Sequence, residues 1–443
     1  LAIGVALFFR NVLLSLFAGV LLGVFILSDF SLYITIKETF SLFISLLSEL
    51  WILKTLGFAM LVGSVMALIE KSGGIGGFVH FMQNQNSFVN SPRSSLLVSY
   101  FIGVFIFIES SITALIAGAV GLPLCDKQKV AHAKLAFVCD STAAPISSLI
   151  VLNGWGALLL GLITTQIDEG VISGDSFTLL IDAVLYNFYA MSALAVTFLA
   201  IWFNIEIGPM KNTKRSTSNH KKSYKKANMG YMIIPILLMI AFAFVFLYIT
   251  GEGDITKGSG SSSIFYTMLA TLFCMFIFYI PSKNMSVRIY FKTALLGAKK
   301  LFPIAMILLF AFAIGKVTSD LHTGLYLASF ASENLSIYFL AGVIFLLSSL
   351  IAFSTGTSWG TFSIMIPVAV PMAVAMDANV ALAIGAVISG GVFGDHCSPI
   401  SDTTIISSMA ADCEVIEHVK TQLPYAIISG VIAFFMFIIL SIV

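Results

Sequence analysis

Long apolar runs separated by short polar stretches set the pattern of this chain. The clearest runs are 231–250, 264–280, 301–315, 335–353 and 423–443. A helix needs ~20 apolar residues to cross a hydrocarbon core, so each run predicts a membrane span or nearly one. Four further stretches are apolar but interrupted from within. Glu109-Ser110-Ser111 breaks 96–123, Pro145-Ile146-Ser147 breaks 130–163, the polar run from Ser354 to Thr361 opens 354–375, and Pro399-Ile400-Ser401 breaks 380–410. Two of these, 130–163 and 380–410, are longer than thirty residues. An untilted span uses fewer, and an unwound middle or a re-entrant hairpin would absorb the excess.

The densest polar chemistry lies at 394–404, Gly-Asp-His-Cys-Ser-Pro-Ile-Ser-Asp-Thr-Thr, flanked by apolar sequence on both sides. Ionisable groups at membrane depth are costly and mark an ion or substrate path, which singles out Asp395, His396 and Asp402. A weaker copy runs from Asp140 to Ser148, where Pro145-Ile146-Ser147 repeats Pro399-Ile400-Ser401. Paired, proline-broken polar segments in the two halves of a chain point to the binding site of a secondary transporter.

Loop charge sets the expected orientation. Segment 211–226 carries seven basic residues and no acid, and 282–300 carries five and no acid. Both are expected in the cytoplasm, as is 125–134 with Lys127, Lys129 and Lys134. Segment 164–176 has Asp168, Glu169 and Asp175 without a basic residue, and is expected outside. The 130–163 stretch then runs outward and 380–410 inward, so the two Pro-Ile-Ser segments are antiparallel, as inverted repeats require. The expected division is 1–206 as the N-terminal membrane half, 207–228 as a basic cytoplasmic linker and 229–443 as the C-terminal half.

Composition narrows the class. Hydrophobic residues make up 58% of the chain and charged residues 10%, with mean hydropathy +1.01, whereas soluble domains are ~25% charged. That excludes a soluble enzyme, and no enzyme is expected. The 443 residues leave room for roughly a dozen spans. A net charge of +1 gives no nucleic-acid signal, and five scattered cysteines without a CxxC form neither a disulfide framework nor a zinc site. The glycines at 73, 74, 76 and 77 lack the lysine and strand of a phosphate loop and read as a turn. The chain opens on Leu1 without methionine, so a missing N-terminal segment is expected.

Proline inside a spanning helix frees a backbone carbonyl, and sodium is a hard cation that takes oxygen ligands. Asp402, Ser401, Thr403, Ser147 and Ser148 are the expected sodium ligands. Desolvation favours a protonated carboxyl and a bound cation favours the carboxylate, so ion and proton compete for the same oxygens. Asp402 is the expected shared carboxylate; Asp395, Glu109, His396 and Asp140 are the other candidates for proton coupling. Each has a plainer reading: membrane Ser and Thr commonly bond to the preceding turn, His396 can simply partner Asp395, and Asp140 can sit at a solvated helix end six residues beyond Lys134. If the cargo were an organic solute, Asn153, Trp155, Thr357 and Trp359 are the expected pocket residues.

These motifs resemble the NhaC-type sodium/proton antiporter family of the ion-transporter superfamily. The resemblance rests on 394–404, on Thr421-Gln-Leu-Pro-Tyr425, on 353–361 and on 140–145, and the chain departs from it at Phe107-Ile-Glu109-Ser110, where relatives often carry two adjacent acids. It implies an all-α polytopic membrane protein with two inverted-topology halves and broken helices or re-entrant hairpins. It implies exchange of Na+ for H+ by alternating access in a bacterial cytoplasmic (inner) membrane; the alternative is Na+- or H+-coupled transport of an amino acid or carboxylate. The implied partners are Na+, H+ and membrane lipid, with a homodimer left open and no nucleic acid; no cofactor is implied, Na+ being the transported ion.

Overall fold

The computed structural model describes residues 12–84, 91–107, 110–151, 153–213, 227–253, 260–321 and 336–442. Among them the regular structure is helical. In chain order the first helices are α1 (Val12–Leu27), α2 (Leu32–Ser48), α3 (Leu50–Ser72), α4 (Gly74–Asn84), α5 (Pro92–Phe105) and α6 (Ser110–Lys127). Next come α7 (His132–Leu149), α8 (Gly154–Asp168), α9 (Ser176–Leu185) and α10 (Phe188–Trp202). After the short turn of 3-10 helix at Gly208–Asn212 follow α11 (Gly230–Thr250), α12 (Gly260–Tyr279), α13 (Val287–Lys300) and α14 (Phe302–Asp320). The chain closes with α15 (Ile337–Thr355), α16 (Ser358–Ala375), α17 (Val380–Cys397), α18 (Asp402–Ala410) and α19 (Val415–Ile442).

Among the described residues seven helical segments are long and apolar enough to cross a membrane, and nine if each of two bent pairs counts as one span. The bent pairs are α7 with α8, turned by 48°, and α9 with α10, turned by 40°. The runs at 231–250, 335–353 and 423–443 became spans, and the 264–280 run became a shorter apolar helix.

Two expectations change. Segment 282–300, expected as a cytoplasmic loop, is helical from Val287 and runs on into α14, and the 31-residue stretch Val287–Val317 contains a window apolar enough to cross a membrane. Its backbone is held where Gly63 of α3 meets Gly297 of α13: a Cβ at Gly63 would lie 2.3 Å from the Gly297 carbonyl oxygen. Ser64 Oγ also donates to the Ala294 carbonyl at 2.8 Å. The second change is α3 itself, a 23-residue span that the charges of Lys54, Glu70 and Lys71 obscured in the sequence. Lys54 is accommodated by Ser262 at 2.8 Å and by the face of Tyr266. The expected glycine turn is confined to Gly73, which ends α3 with φ +79°, a conformation that costs glycine nothing; Gly74, Gly76 and Gly77 lie in α4.

The long polar-centred stretches did break as expected. In the first half, α5 ends at Phe105 and α6 begins at Ser110, and α7 ends at Leu149 and α8 begins at Gly154. In the second, α15 and α16 are separated at 356–357 and α17 and α18 at 398–401. Pro145 lies inside α7, however, whereas Pro399 lies in the break itself, so the two Pro-Ile-Ser segments are not structurally equivalent. Helices α7 and α17 run antiparallel: Ser141 meets His396, and seven residues on in α7 Ser148 joins Ser389 through Asn187. Both are buried along nearly their whole length, as expected of helices apolar on all sides. Two apolar cores meet along α7, with Ala144 packed into one and Cys139 and Ala143 into the other. Asp140 sits at that seam.

Candidate functional site

Asp140 is the most heavily contacted carboxylate of the interior and is fully buried. Its Oδ2 accepts from Gln422 Nε2 at 2.8 Å, from His418 Nε2 at 3.1 Å and from Thr404 Oγ1 at 3.2 Å. Its Oδ1 accepts from Ser407 Oγ at 3.3 Å. Those donors come from α18 and α19, so a first-half acid is solvated by second-half side chains. His396 of α17 approaches with Nε2 3.8 Å from Oδ2, while its Nδ1 lies 2.5 Å from Tyr189 Oη and its Nε2 3.2 Å from Ser141 Oγ. Gln422 Nε2 also reaches the His396 carbonyl at 2.5 Å. Both of its partners are acceptors, which fixes which way the amide faces. Gln422 Oε1 and His418 Nδ1 are buried without a hydrogen-bond partner.

A second cluster forms at the C-terminal end of α17. Asp395, 2% exposed, accepts from Ser358 Oγ at 2.7 Å through Oδ2, and its Oδ1 has no hydrogen-bond partner. Asp402 lies near enough to act electrostatically on it, and the Ser401 hydroxyl near enough to approach it as a donor; Ser401 Oγ pairs with Thr403 Oγ1 at 3.0 Å. The break that carries these residues is clamped against the other break of the same half. Gly356 has φ +67°, and a Cβ there would lie 2.8 Å from the Ile400 carbonyl oxygen; Ser398 Oγ donates to the Phe353 carbonyl at 2.8 Å.

The first-half breaks are tied by Asn153. Its Oδ1 caps α8 by accepting from the Trp155 and Gly156 amides at 2.9 and 3.1 Å. Its Nδ2 donates to the Phe107 carbonyl at 3.0 Å and the Ser147 carbonyl at 2.8 Å. The amide is thus saturated by the scaffold. The two halves touch where Trp155 and Trp359 meet edge-on, with centroids 6.1 Å apart, and a Cβ at Gly154 would lie 3.0 Å from the Trp359 ring.

The structure therefore sorts the expected residues. Asp395, Ser401 and Thr403 come together, with Asp402 on the exposed side at the start of α18, where the helix N-terminus favours an acid. Asp140 and His396 belong to the neighbouring cluster. Ser147 Oγ is buried without a partner, whereas Ser148 donates to the Pro145 carbonyl and accepts from Asn187. Thr357 is half-buried ahead of α16, and Trp155 packs against Phe362 as well as Trp359. Glu109 lies outside the described residues. Sequence reasoning missed His418, Gln422, Tyr189 and Ser358. Gln422 and Ser358 stood inside quoted motifs and could have been found; His418 and Tyr189 carried no local signal. Among the described residues no three His, Cys, Asp or Glu side chains gather as a metal cluster; the Asp395 cluster is built from hydroxyls and carboxylates instead.

A profile of the Na+/H+ antiporter family matches residues 153–442. An uncharacterised protein of Haemophilus influenzae is 33% identical over 96% of this chain and 86% of its own length. Two shorter matches each cover about a fifth of both chains: an uncharacterised Na+/H+ antiporter of H. influenzae, 40% identical over 90 residues, and the malate-2H+/Na+-lactate antiporter of Bacillus subtilis, 34% identical over 102 residues. The crystal structure of the Alcanivorax borkumensis YdaH transporter, described as having an unusual topology, superposes with a TM-score of 0.58 at 13% identity, covering 91% of this chain and 88% of that one.

Proposed function

The chain belongs to the Na+/H+ antiporter family, and from that premise we propose that it exchanges Na+ for H+ across a bacterial cytoplasmic membrane by alternating access. The observation that carries this reading is the bare, buried Oδ1 of Asp395 among oxygen-only neighbours. A carboxylate oxygen withdrawn from water without a donor is costly, and a small hard cation would satisfy it. Sodium would sit against Asp395 and Ser401, with Ser358 and Thr403 as neighbouring hydroxyls and Asp402 adding negative charge from the open side. Gly356 and Ile400 hold the two second-half breaks together, so this oxygen cage moves as one piece. The proposed boundary between moving halves is the basic segment 207–228.

Purified protein in proteoliposomes tests this. An outward Na+ gradient should drive H+ inward, and a pH gradient should drive ²²Na+, with no other solute present. Flux should fall on the acid side, where protons hold the carboxyl, and again on the alkaline side, where protons are scarce. Failure of either gradient to drive the other ion would refute the exchange.

A second reading, coupled transport of an organic carboxylate, is favoured by the match to the malate-2H+/Na+-lactate antiporter. Asn153 and Trp155 are poorly placed to line such a pocket, because the first is saturated by backbone and the second is buried in ring packing. Strict dependence of ²²Na+ flux on added malate or lactate would promote this reading over the first.

A further inference from the structure

The two buried carboxylates of the interior have surroundings of different kinds. Around Asp395 every neighbour named above is an oxygen, and one carboxylate oxygen is bare. Around Asp140 both oxygens are already occupied by donors, and two of the four donors are nitrogens, Gln422 Nε2 and His418 Nε2. A hydroxyl can rotate and offer a lone pair to a cation, but an amide NH2 or an imidazole N–H cannot. Gln422 is further prevented from turning its oxygen inward, since its nitrogen is also held by the His396 carbonyl. Asp140 is thus poorly suited to sodium; its four donors keep it a carboxylate, and a fixed negative charge there favours a proton on the imidazole beside it.

Resting on the exchange reading above, we propose that the exchanged proton is carried at Asp140 and His418, a site separate from the sodium cage at Asp395. His418 Nε2 is within hydrogen-bond reach of Asp140 Oδ2, and its other ring nitrogen is buried and unpartnered. In the resting pair the imidazole donates from Nε2 and keeps a free lone pair on Nδ1. A proton arriving at Nδ1 makes His418 an imidazolium, whose charge is balanced by the Asp140 carboxylate through the Nε2–H hydrogen bond. The reverse transfer empties the site. The other titratable groups facing Asp140 are Asp395, His396 and Cys397 of α17, Tyr189 of α10 and Cys139 beside it on α7.

The two sites are joined mechanically. Asp395 and His396 are consecutive residues at the end of α17; one belongs to the oxygen cage, and the carbonyl of the other anchors Gln422, which in turn donates to Asp140. A cation that draws Asp395 toward it shifts this anchor. Loss of the Gln422 hydrogen bond leaves more of the Asp140 charge facing His418 and its recovery leaves less, so the two occupancies inform one another without sharing an atom.

The test uses full-length protein with ²²Na+ binding measured alongside Na+-driven H+ flux. Asp140→Asn and His418→Gln should each bind ²²Na+ with near wild-type affinity while coupled H+ flux falls by about 10²-fold. His418→Gln retains a donor toward Asp140, so a merely structural histidine would leave flux and its pH profile unchanged. Coupled flux persisting in both variants would overturn the proposal. So would loss of Na+ affinity in both, which would mean that ion and proton share one site. A wild-type protein without Na+-driven H+ movement would instead sink the exchange reading, and this inference with it.

Discussion

At the scale of single residues, Asp395 and Asp402 are both acids of one motif but stand in different environments. Asp395 is buried with a bare oxygen, and Asp402 is exposed at a helix start. Removing a charged ligand from a buried site costs more than removing a neighbouring exposed charge, whose field is screened. Asp395→Asn should therefore weaken ²²Na+ binding by at least about tenfold, and Asp402→Asn by distinctly less. The reverse ranking in a binding titration would move the sodium site to Asp402. The motif around both acids was legible because small polar residues and proline cluster within eleven positions. Asp140 was harder to place because Lys134 nearby suggested a solvated helix end. Lys134 is in fact buried, 3.1 Å from Glu206 Oε1 and 2.8 Å from Asn204 Oδ1. Those partners lie some seventy residues on, a distance that local pattern does not bridge.

At the scale of elements, hydropathy marked the breaks well and the continuous spans less well. Proline and runs of Ser, Thr and Gly act locally, so the interruptions at 356–357 and 398–401 could be read from the sequence, whereas Pro145-Ile146-Ser147 stayed inside α7, which ends at Leu149. Helix α13 was misread because five basic residues in 282–300 outweighed Ile289, Phe291, Leu295 and Leu296, which all lie exposed on the helix. What seats that helix is a close approach between two glycines 234 positions apart, at Gly63 and Gly297. Gly63→Val would drive a side chain into a backbone carbonyl. It should destabilise the protein by about 1–3 kcal/mol or more, read as a lower Tm in detergent. An unchanged Tm would mean that α3 and α13 do not pack as described. At the opposite end of the network, His132 bridges Asp126 and the Asp412 carbonyl at 2.9 and 3.0 Å. It thereby ties the start of α7 to the turn after α18, the helix that supplies Thr404 and Ser407 to Asp140.

At the scale of the whole molecule, the antiparallel relation of α7 and α17 agrees with the orientation that loop charge implies. Single cysteines at Ser218 and Gly170, in a cysteine-free background, should label from opposite sides of the membrane. Labelling of both from one side would break the topology. Antiparallel halves could be inferred from charge alternation, but the crossing of the halves could not. It depends on Asp140 being solvated by α18 and α19, and on two tryptophans meeting across the break. That last contact makes the molecule its own optical instrument. Of four tryptophans, Trp51 packs on Phe312 and Trp202 on Phe198, while Trp155 and Trp359 pack on each other. With the outlying pair replaced by phenylalanine, the remaining emission comes from the seam alone, and any parting of the halves there changes its colour without a label having to be attached.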